Sequence, residues 1–443
     1  MTLTLNKSMM LKDKNLIRRK NHRMSPKLFT MFKNNEISGD QIKNDVVAGF
    51  IVAIIALPLS IALAISSGVS PEKGLITAIF AGFIISLLGG SKVQIGGPTG
   101  AFVVIVYGIV KAHGIDGLII ATIMSGIILV IMGMLKVGNL IKYVPHTVTV
   151  GFTSGIAVTL LITQIKDLFG LNIIDVPAEA LHKVIAYLEN MDTFHIVTFL
   201  IGLTCILIMI YWPKFNKSIP ASIVALVVAT LVVELFNLNV DTIGSLYSNI
   251  SSSIPMPTIP KITMGKIVLL IKPAFTIAIL ASIESLLSCV VADKMIDDEH
   301  DSNSELVAQG LGNIVSALFG GIPATGAIAR TAANVKNGGK SPVSGMIHAL
   351  TLLLIMILLM PLAKMIPMTV LSAILIIVSY NMGEWKEMKE MMSWPIIDVV
   401  VLSTTFVLTI VFDLVIAIAA GMSIHLIYTL LIDRNDNEIE EAA

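Results

Sequence analysis

The chain has 443 residues, of which 55% are hydrophobic and only 14% charged, with acidic and basic residues in equal number. Soluble domains carry about 25% charged residues, so most of this fold cannot present its surface to water. The two cysteines, Cys205 and Cys289, sit in apolar stretches, which excludes a disulfide framework and a zinc site and reads as small buried hydrophobes.

Residues 1–44 form a basic polar leader, with Lys7, Lys12, Lys14, Arg18, Arg19, Lys20 and Arg23 among its first 23 residues. The first apolar run starts near Val46, too late for a secretory signal peptide, so it is a retained span. Juxtamembrane basic residues mark the cytoplasmic side. They make lipid, not nucleic acid, the expected surroundings. Beyond the leader, no Asp, Glu, Lys or Arg occurs in 46–71, 74–91, 117–135, 193–213, 341–363 or 365–383. A helix needs roughly 20 apolar residues to cross the hydrocarbon core, and its backbone must be satisfied within the segment. These stretches therefore predict helices, not barrel strands, which would be shorter and alternating.

In chain order the expected spans are 45–66, 71–90, 97–112, 116–138, 144–166, 194–212, 218–237, 268–292, 304–321, 326–338, 342–363, 367–383, 396–411 and 412–432. An even number places both termini in the cytoplasm of a multi-pass protein of the cell membrane. The third and tenth are too short to cross as full helices. The chain also repeats itself. The run from Leu140 through Lys142, Val144, Pro145 and Thr147 to Val148 matches Leu362, Lys364, Ile366, Pro367, Thr369 and Val370. Ala78, Gly82, Ser86 and Leu88 match Ala308, Gly312, Ser316 and Leu318, and Thr99-Gly100-Ala101 matches Thr325-Gly326-Ala327. Seven spans separate the copies, and an odd number flips orientation. The expected fold is thus all-α, with about fourteen transmembrane segments in two inverted seven-helix repeats and half-helices at segments three and ten.

In such folds the substrate binds near the midplane, where short Gly/Pro-interrupted segments face each other. Gly96-Gly97-Pro98-Thr99-Gly100-Ala101 opens the third span, and Gly320-Gly321-Ile322-Pro323-Ala324-Thr325-Gly326-Ala327 opens the tenth. Each starts a half-helix with free N–H groups and a partial positive charge. Two such ends together suit an anion. Arg330 adds a full charge one turn into the second half-helix, and an intramembrane charge is a functional candidate by default. Glu284 is an acid deep in the apolar run 274–292 and lines up in the repeat with Pro58, the expected break in the first span. It is the candidate coupling residue, for a proton or Na⁺, or else a partner for Arg330. Ser288, one turn on, could supply a ligand or a hydrogen bond. His348 reads mainly as a packed histidine. Gly339-Lys340-Ser341 lacks the first glycine of a phosphate-binding loop, which excludes ATP there, and no HExxH, GxSxG or paired metal ligands point to an enzyme.

These motifs resemble the sulfate permease (SulP) family, also called solute carrier family 26, over about residues 45–432. The resemblance is carried by Ala56-Leu57-Pro58-Leu59-Ser60-Ile61-Ala62, the two Gly/Pro segments, Ile283-Glu284-Ser285-Leu286-Leu287, Asn303 through Gly310, and the continuation Ile328-Ala329-Arg330-Thr331. It implies a core domain from 45–138 and 268–363 and a gate domain from 139–237 and 364–432. The linker would be 238–267 and the tail 433–443. It also implies a pocket lined by Leu59, Leu63, Thr99, Gly100, Ala101 and Phe102 from the first half, and by Thr325, Gly326, Ala327, Ile328 and Arg330 from the second. Glu284 and Ser288 would occupy the coupling-ion region. Sodium-coupled relatives place Asp where Glu284 stands, which favours a proton here. The family usually carries a cytoplasmic STAS domain after the last span, whereas only Asp433 to Ala443 follow in this chain.

The expected function is secondary transport of a small inorganic or carboxylate anion, of the sulfate, bicarbonate or dicarboxylate class. Proton symport by an elevator-like movement comes first. Exchange and Na⁺ symport are the alternatives, and a nucleobase-type permease or an anion channel are weaker ones. The expected partners are the anion, H⁺ or Na⁺ and the bilayer, with a homodimer as a possible assembly. No cofactor, metal or nucleic acid is expected.

Overall fold

A computed structural model describes residues 25–139, 144–173, 175–216, 219–247, 250–412 and 414–442, without the side chains of residues 414 and 431–442. Most of the basic leader, the stretch 140–143 of the internal repeat and Asp413 therefore lie outside the described residues. The helices are α1 (Lys27–Lys33), α2 (Gly39–Ser66), α3 (Pro71–Leu88), α4 (Phe102–Met134), α5 (His146–Phe169), α6 (Ala180–Glu189), α7 (Ile196–Phe215) and α8 (Ala221–Leu235). They continue with α9, a single turn (Ile243–Leu246), then α10 (Met264–Ile296), α11 (Ser302–Leu318), α12 (Ile328–Lys336), α13 (Val343–Ala363), α14 (Met368–Met382), α15 (Trp385–Met391), α16 (Ile396–Val411) and α17 (Leu414–Ala442). Among the described residues, eight helices are long and apolar enough to cross a membrane, and three further apolar helices are shorter. This is an all-helical membrane protein but for one feature. Strands β1 (Gly96–Gly97) and β2 (Thr325–Gly326) pair antiparallel, Gly96 opposite Gly326 and Gly97 opposite Thr325.

Three expectations need correction. The third and tenth spans were expected to be helical from residues 97 and 326, but helix begins only at Phe102 and Ile328. The residues before them are extended and find their backbone partners across the strand pair. Pro58 does not break the first span. It sits buried inside an uninterrupted α2, which forgoes one N–H bond there. The tail after residue 432 prolongs α17. The break between the third and fourth spans is real: α4 bends at Gly114, whose φ of 69° lies in the left-handed region that glycine tolerates. Two amphipathic surface helices, α6 and α15, lay outside the expected spans because they are short and half polar.

Packing falls into two groups. In one, α4 packs on α10 and α11, α13 on α2 and α3, and α12 on α10. In the other, α5 packs on α14 and α16, α7 on α8 and α14, and α17 on α16. Helix α2 is the main bridge, touching α14 and α8. Between helices in lipid, apolar side chains gain little by leaving their surroundings, so close backbone approach must supply the contact energy. The crossing of α4 and α11 shows this. A Cβ on Gly126 would come 2.6 Å from the Gly310 carbonyl oxygen, and one on Gly310 would come 2.5 Å from that of Gly126.

The short helix α1 docks at the end of α10. Leu28 and Met31 are buried, Lys27 pairs with Asp298 at 3.0 Å, and Lys92 bridges Asp298 and Glu36 at 3.6 and 3.3 Å. Burial pushes the Asp298 carboxyl up, but Lys27, the Glu299 amide and Lys92 together hold it below the usual carboxylate range. With the folded value depressed, this stabilisation is complete above the unfolded value and is lost only as pH falls through the folded one. Docking of α1 should thus persist across neutral pH. Asp298→Asn removes the shared anion and should make proteolysis between Lys33 and Lys43 several-fold faster at pH 7. An unchanged cleavage rate would show that Leu28 and Met31 suffice.

Candidate functional site

The strand pair brings the starts of α4 and α12 together. Before α4, Thr99-Gly100-Ala101 forms a tight turn, with Phe102 N–H donating to the Thr99 carbonyl at 3.3 Å and Val103 N–H to Gly100 at 3.2 Å. Before α12, Ala327 N–H donates to the Ile95 carbonyl at 2.9 Å, Gly326 N–H to Ser285 Oγ at 3.1 Å, and Thr331 N–H to the Ala327 carbonyl at 2.9 Å. The amides with no acceptor within their own helix are thus those of Ile328, Ala329 and Arg330 on one side and Gly100 and Ala101 on the other. Helix dipoles add partial positive charge at both ends. The Gly326 amide, expected to face the anion, is already committed to Ser285.

Arg330 is 2% exposed. Its Nη2 donates to the Pro98 carbonyl, whereas Nε and Nη1 have no partner among the described residues. The backbone of Gly97 passes directly against Nη1, where a side chain could not fit. The second half-helix thus sends its cation under the opening of the first. No ion pair joins Arg330 to Glu284, an arrangement the sequence left open. Glu284 is half-buried on α10 and accepts a hydrogen bond from Thr99 Oγ1 at 2.9 Å. The coupling candidate is therefore tied to the turn that opens the first half-helix.

The other expected residues divide. Ser288 is not free to act as a ligand. Its hydroxyl donates to Gln94 Oε1 at 2.8 Å and lies 3.4 Å from Thr331 Oγ1. Thr325 Oγ1 is within 2.6 Å of Ser285 Oγ and donates to the Ala281 carbonyl at 3.1 Å, so it clamps β2 to α10. Phe102 is buried in the apolar cluster between α4, α10 and α11, and Leu63 in the cluster of α2, α3, α13 and α14, with Leu59 at its edge. Gly100 faces Leu160 and Met382, and Ala327 is buried beside Ile328, which is 41% exposed. His348 is buried, and neither ring nitrogen has a partner among the described residues. Both cysteines are buried and free.

A cavity of about 610 Å³ reaches this region. It begins at Ala101, follows α4 along Ile105 and Gly108 to His113, and is walled by Ile156 and Thr159 of α5, Thr276 of α10 and Thr409 of α16. Lys272, near the start of α10 and so at the end away from the docked α1, also lines it. Sequence reasoning missed Gln94, Ser285, Glu305 and Thr331 as members of the polar cluster. The signals for Glu305 were an acid within an otherwise uncharged stretch and its place in the motif Asn303–Gly310.

A membrane-embedded fold that holds two helix starts and a half-paired buried guanidinium around one point defines an anion transporter, not an enzyme. The Sulfate permease family signature matches residues 42–405. The chain is 42% identical to the putative sulfate transporter YvdB of Bacillus subtilis over 88% of its own length and 73% of that protein. It is 32% identical to the bicarbonate transporter BicA of Picosynechococcus over 89% of this chain and 71% of that one. The solved transmembrane domain of a cyanobacterial BicA superposes with a TM-score of 0.79 at 30% identity, covering 86% of this chain and 98% of that domain. Murine solute carrier 26 family member A9 in its inward-facing state shares the fold, with a TM-score of 0.81 at 18% identity. The chain belongs to the sulfate permease family.

Proposed function

We propose that this protein carries a small oxyanion, sulfate or bicarbonate, into the cell together with a proton. The observation that carries the reading is the Arg330 guanidinium, buried with Nε and Nη1 unpaired where the starts of the two half-helices meet. Free amides, two helix dipoles and one cation attract an anion, while the side chains of Thr99, Ala101 and Ala327 offer little of the paired donor and acceptor set that a nucleobase edge requires. The family relatives named for sulfate and bicarbonate support the same substrate class. In this reading the anion sits between Gly100–Ala101 and Ile328–Arg330, and Leu59, Leu63 and Phe102 support the pocket wall.

The fourteen-segment inverted repeat is our reading of the topology. It is supported by the antiparallel pairing of the two matching segments, which a two-fold axis in the membrane plane would produce. The two packing groups support a division into a core domain (45–138 and 268–363) and a gate domain (139–237 and 364–432), with the core sliding past the gate. With both termini cytoplasmic, the Lys272 end of the cavity lies toward the outer face and α1 marks the inner one.

Glu284 supplies the coupling. Its bond to Thr99 ties its protonation to the turn that presents Gly100 and Ala101. Glu284→Gln, which mimics the protonated acid, should still bind anion but lose acceleration by an inward proton gradient, while anion exchange persists. Uptake of labelled sulfate and bicarbonate into proteoliposomes, at matched and mismatched pH and with and without Na⁺, measures this. A wild type that ignores the pH gradient and responds to Na⁺ would make the acid a sodium ligand. A variant that keeps full proton dependence would move the coupling elsewhere, with His348 next to be tested.

A further inference from the structure

We infer that Gln94, outside the anion pocket, is the positioning residue that locks the coupling helix to both half-helix openings. It is 3% exposed and precedes β1. Its Nε2 donates to the Ser285 carbonyl of α10 at 3.0 Å and to Glu305 Oε1 of α11 at 3.3 Å. Its Oε1 accepts from Ser288 Oγ at 2.8 Å. A carbonyl and a carboxylate can only accept, so the amide nitrogen must face them and the oxygen must face Ser288. One side chain thus holds three hydrogen bonds in a single orientation. Glu305 is itself fully buried, and accepts from Gly90 N–H at 2.9 Å and Gln309 Nε2 at 2.8 Å as well. The segment Gly90–Gly97 is therefore bolted at two points to α11 and at two to α10.

The opposite half closes on the same group. The Gln94 amide lies over the α-carbon of Gly326, where a Cβ would come within 2.5 Å of Cδ. The Ile95 N–H donates to Thr331 Oγ1 at 3.1 Å, and Ser288 reaches the same hydroxyl. Ser285 is the next residue after Glu284 on α10 and Ser288 lies one turn on, so Gln94 sets the rotation of the helix that aims Glu284 at Thr99. A change at Glu284 is transmitted to Gly326 and Thr331, one residue from Arg330, through bonds that do not include the substrate. Buried polar groups satisfied in this way specify a single arrangement, and losing one partner leaves the others unmet.

The assignment rests on the anion site proposed above; its coupling arm also rests on proton symport. The test uses full-length Gln94→Leu, Gln94→Glu, Ser288→Ala and the Gln94→Leu/Ser288→Ala double variant. Two readouts are taken: thermal protection of the purified protein by sulfate and bicarbonate, which needs no assumption about coupling, and proton-driven against exchange uptake in proteoliposomes. Gln94→Leu should lose tenfold or more in anion concentration for half protection and should carry anion with a weakened response to the pH gradient. Gln94→Glu has at most one proton to give, so it cannot donate to both the Ser285 carbonyl and Glu305, and it should behave likewise although it fills the same space. The double variant should be no worse than Gln94→Leu, since both substitutions break one link. Unchanged half-protection and coupling in folded Gln94→Leu would overturn the assignment. So would a loss of thermal stability with both unchanged, which would leave Gln94 a packing residue. If the wild type shows anion protection but no proton response, the symport reading fails, and the protection series still decides the role of Gln94.

Discussion

Arg330→Ala should raise the apparent KM for the anion tenfold or more in a protein that still folds. Two unit charges ~6 Å apart at an effective dielectric constant of about 20 interact by roughly 3 kcal/mol. Arg330 is buried and makes no ion pair with Glu284. Removing it also leaves the Pro98 carbonyl without its donor, which would loosen the turn before α4. Arg330→Lys separates the two effects. It keeps the charge, but its compact ammonium lacks the planar fork that lets the guanidinium bond Pro98 and aim further donors at the anion in one fixed geometry. An intermediate KM is expected. Uptake at graded anion concentrations in proteoliposomes, with size-exclusion profiles to check folding, gives the answer. Unchanged affinity in well-folded Arg330→Ala would remove this side chain from the site.

Gly326→Val should abolish anion binding while membrane insertion survives. The reason differs from the one that the sequence suggests. Close approach of the Gly326 amide to the anion is not what demands glycine, because that amide is held by Ser285 Oγ. The demand comes from the Gln94 amide packed over its α-carbon. Any side chain displaces Gln94 from Ser285, Ser288 and Glu305 together, and leaves a buried carboxylate short of a donor, at a cost of about 1–3 kcal/mol or more. Gly326→Ala should therefore already impair transport, and Gly326→Val should eliminate it. By contrast, a Cβ on Gly100 would meet only Leu160 Cδ2 at 2.7 Å and Met382 Sδ at 3.7 Å, the ends of flexible side chains. Gly100→Ala should be much milder. Equal damage from the alanine variants at both positions would contradict this account, and normal transport by Gly326→Val would place the pocket elsewhere.

Several features are legible in the sequence because each is written in consecutive residues. Uncharged runs of membrane-crossing length mark the spanning helices, since a backbone in lipid can satisfy itself only within its own segment. Paired Gly/Pro segments before helical stretches mark the half-helices, and a charge amid apolar neighbours marks Arg330 and Glu284. The tertiary structure decided what depends on residues far apart in the chain. No local pattern says that Gly96 will lie opposite Gly326, so the strand pair and the later helix starts at Phe102 and Ile328 stayed hidden. Nor could spacing show that Ser288 answers to Gln94 and Glu284 to Thr99, nearly two hundred positions away. Pro58 misled for the related reason that a helix packed against its neighbours can run on through the loss of one backbone bond. The sequence alone determined which groups enter the membrane. Their partners were decided by packing, because a hydrogen bond depends on distance in space and not along the chain.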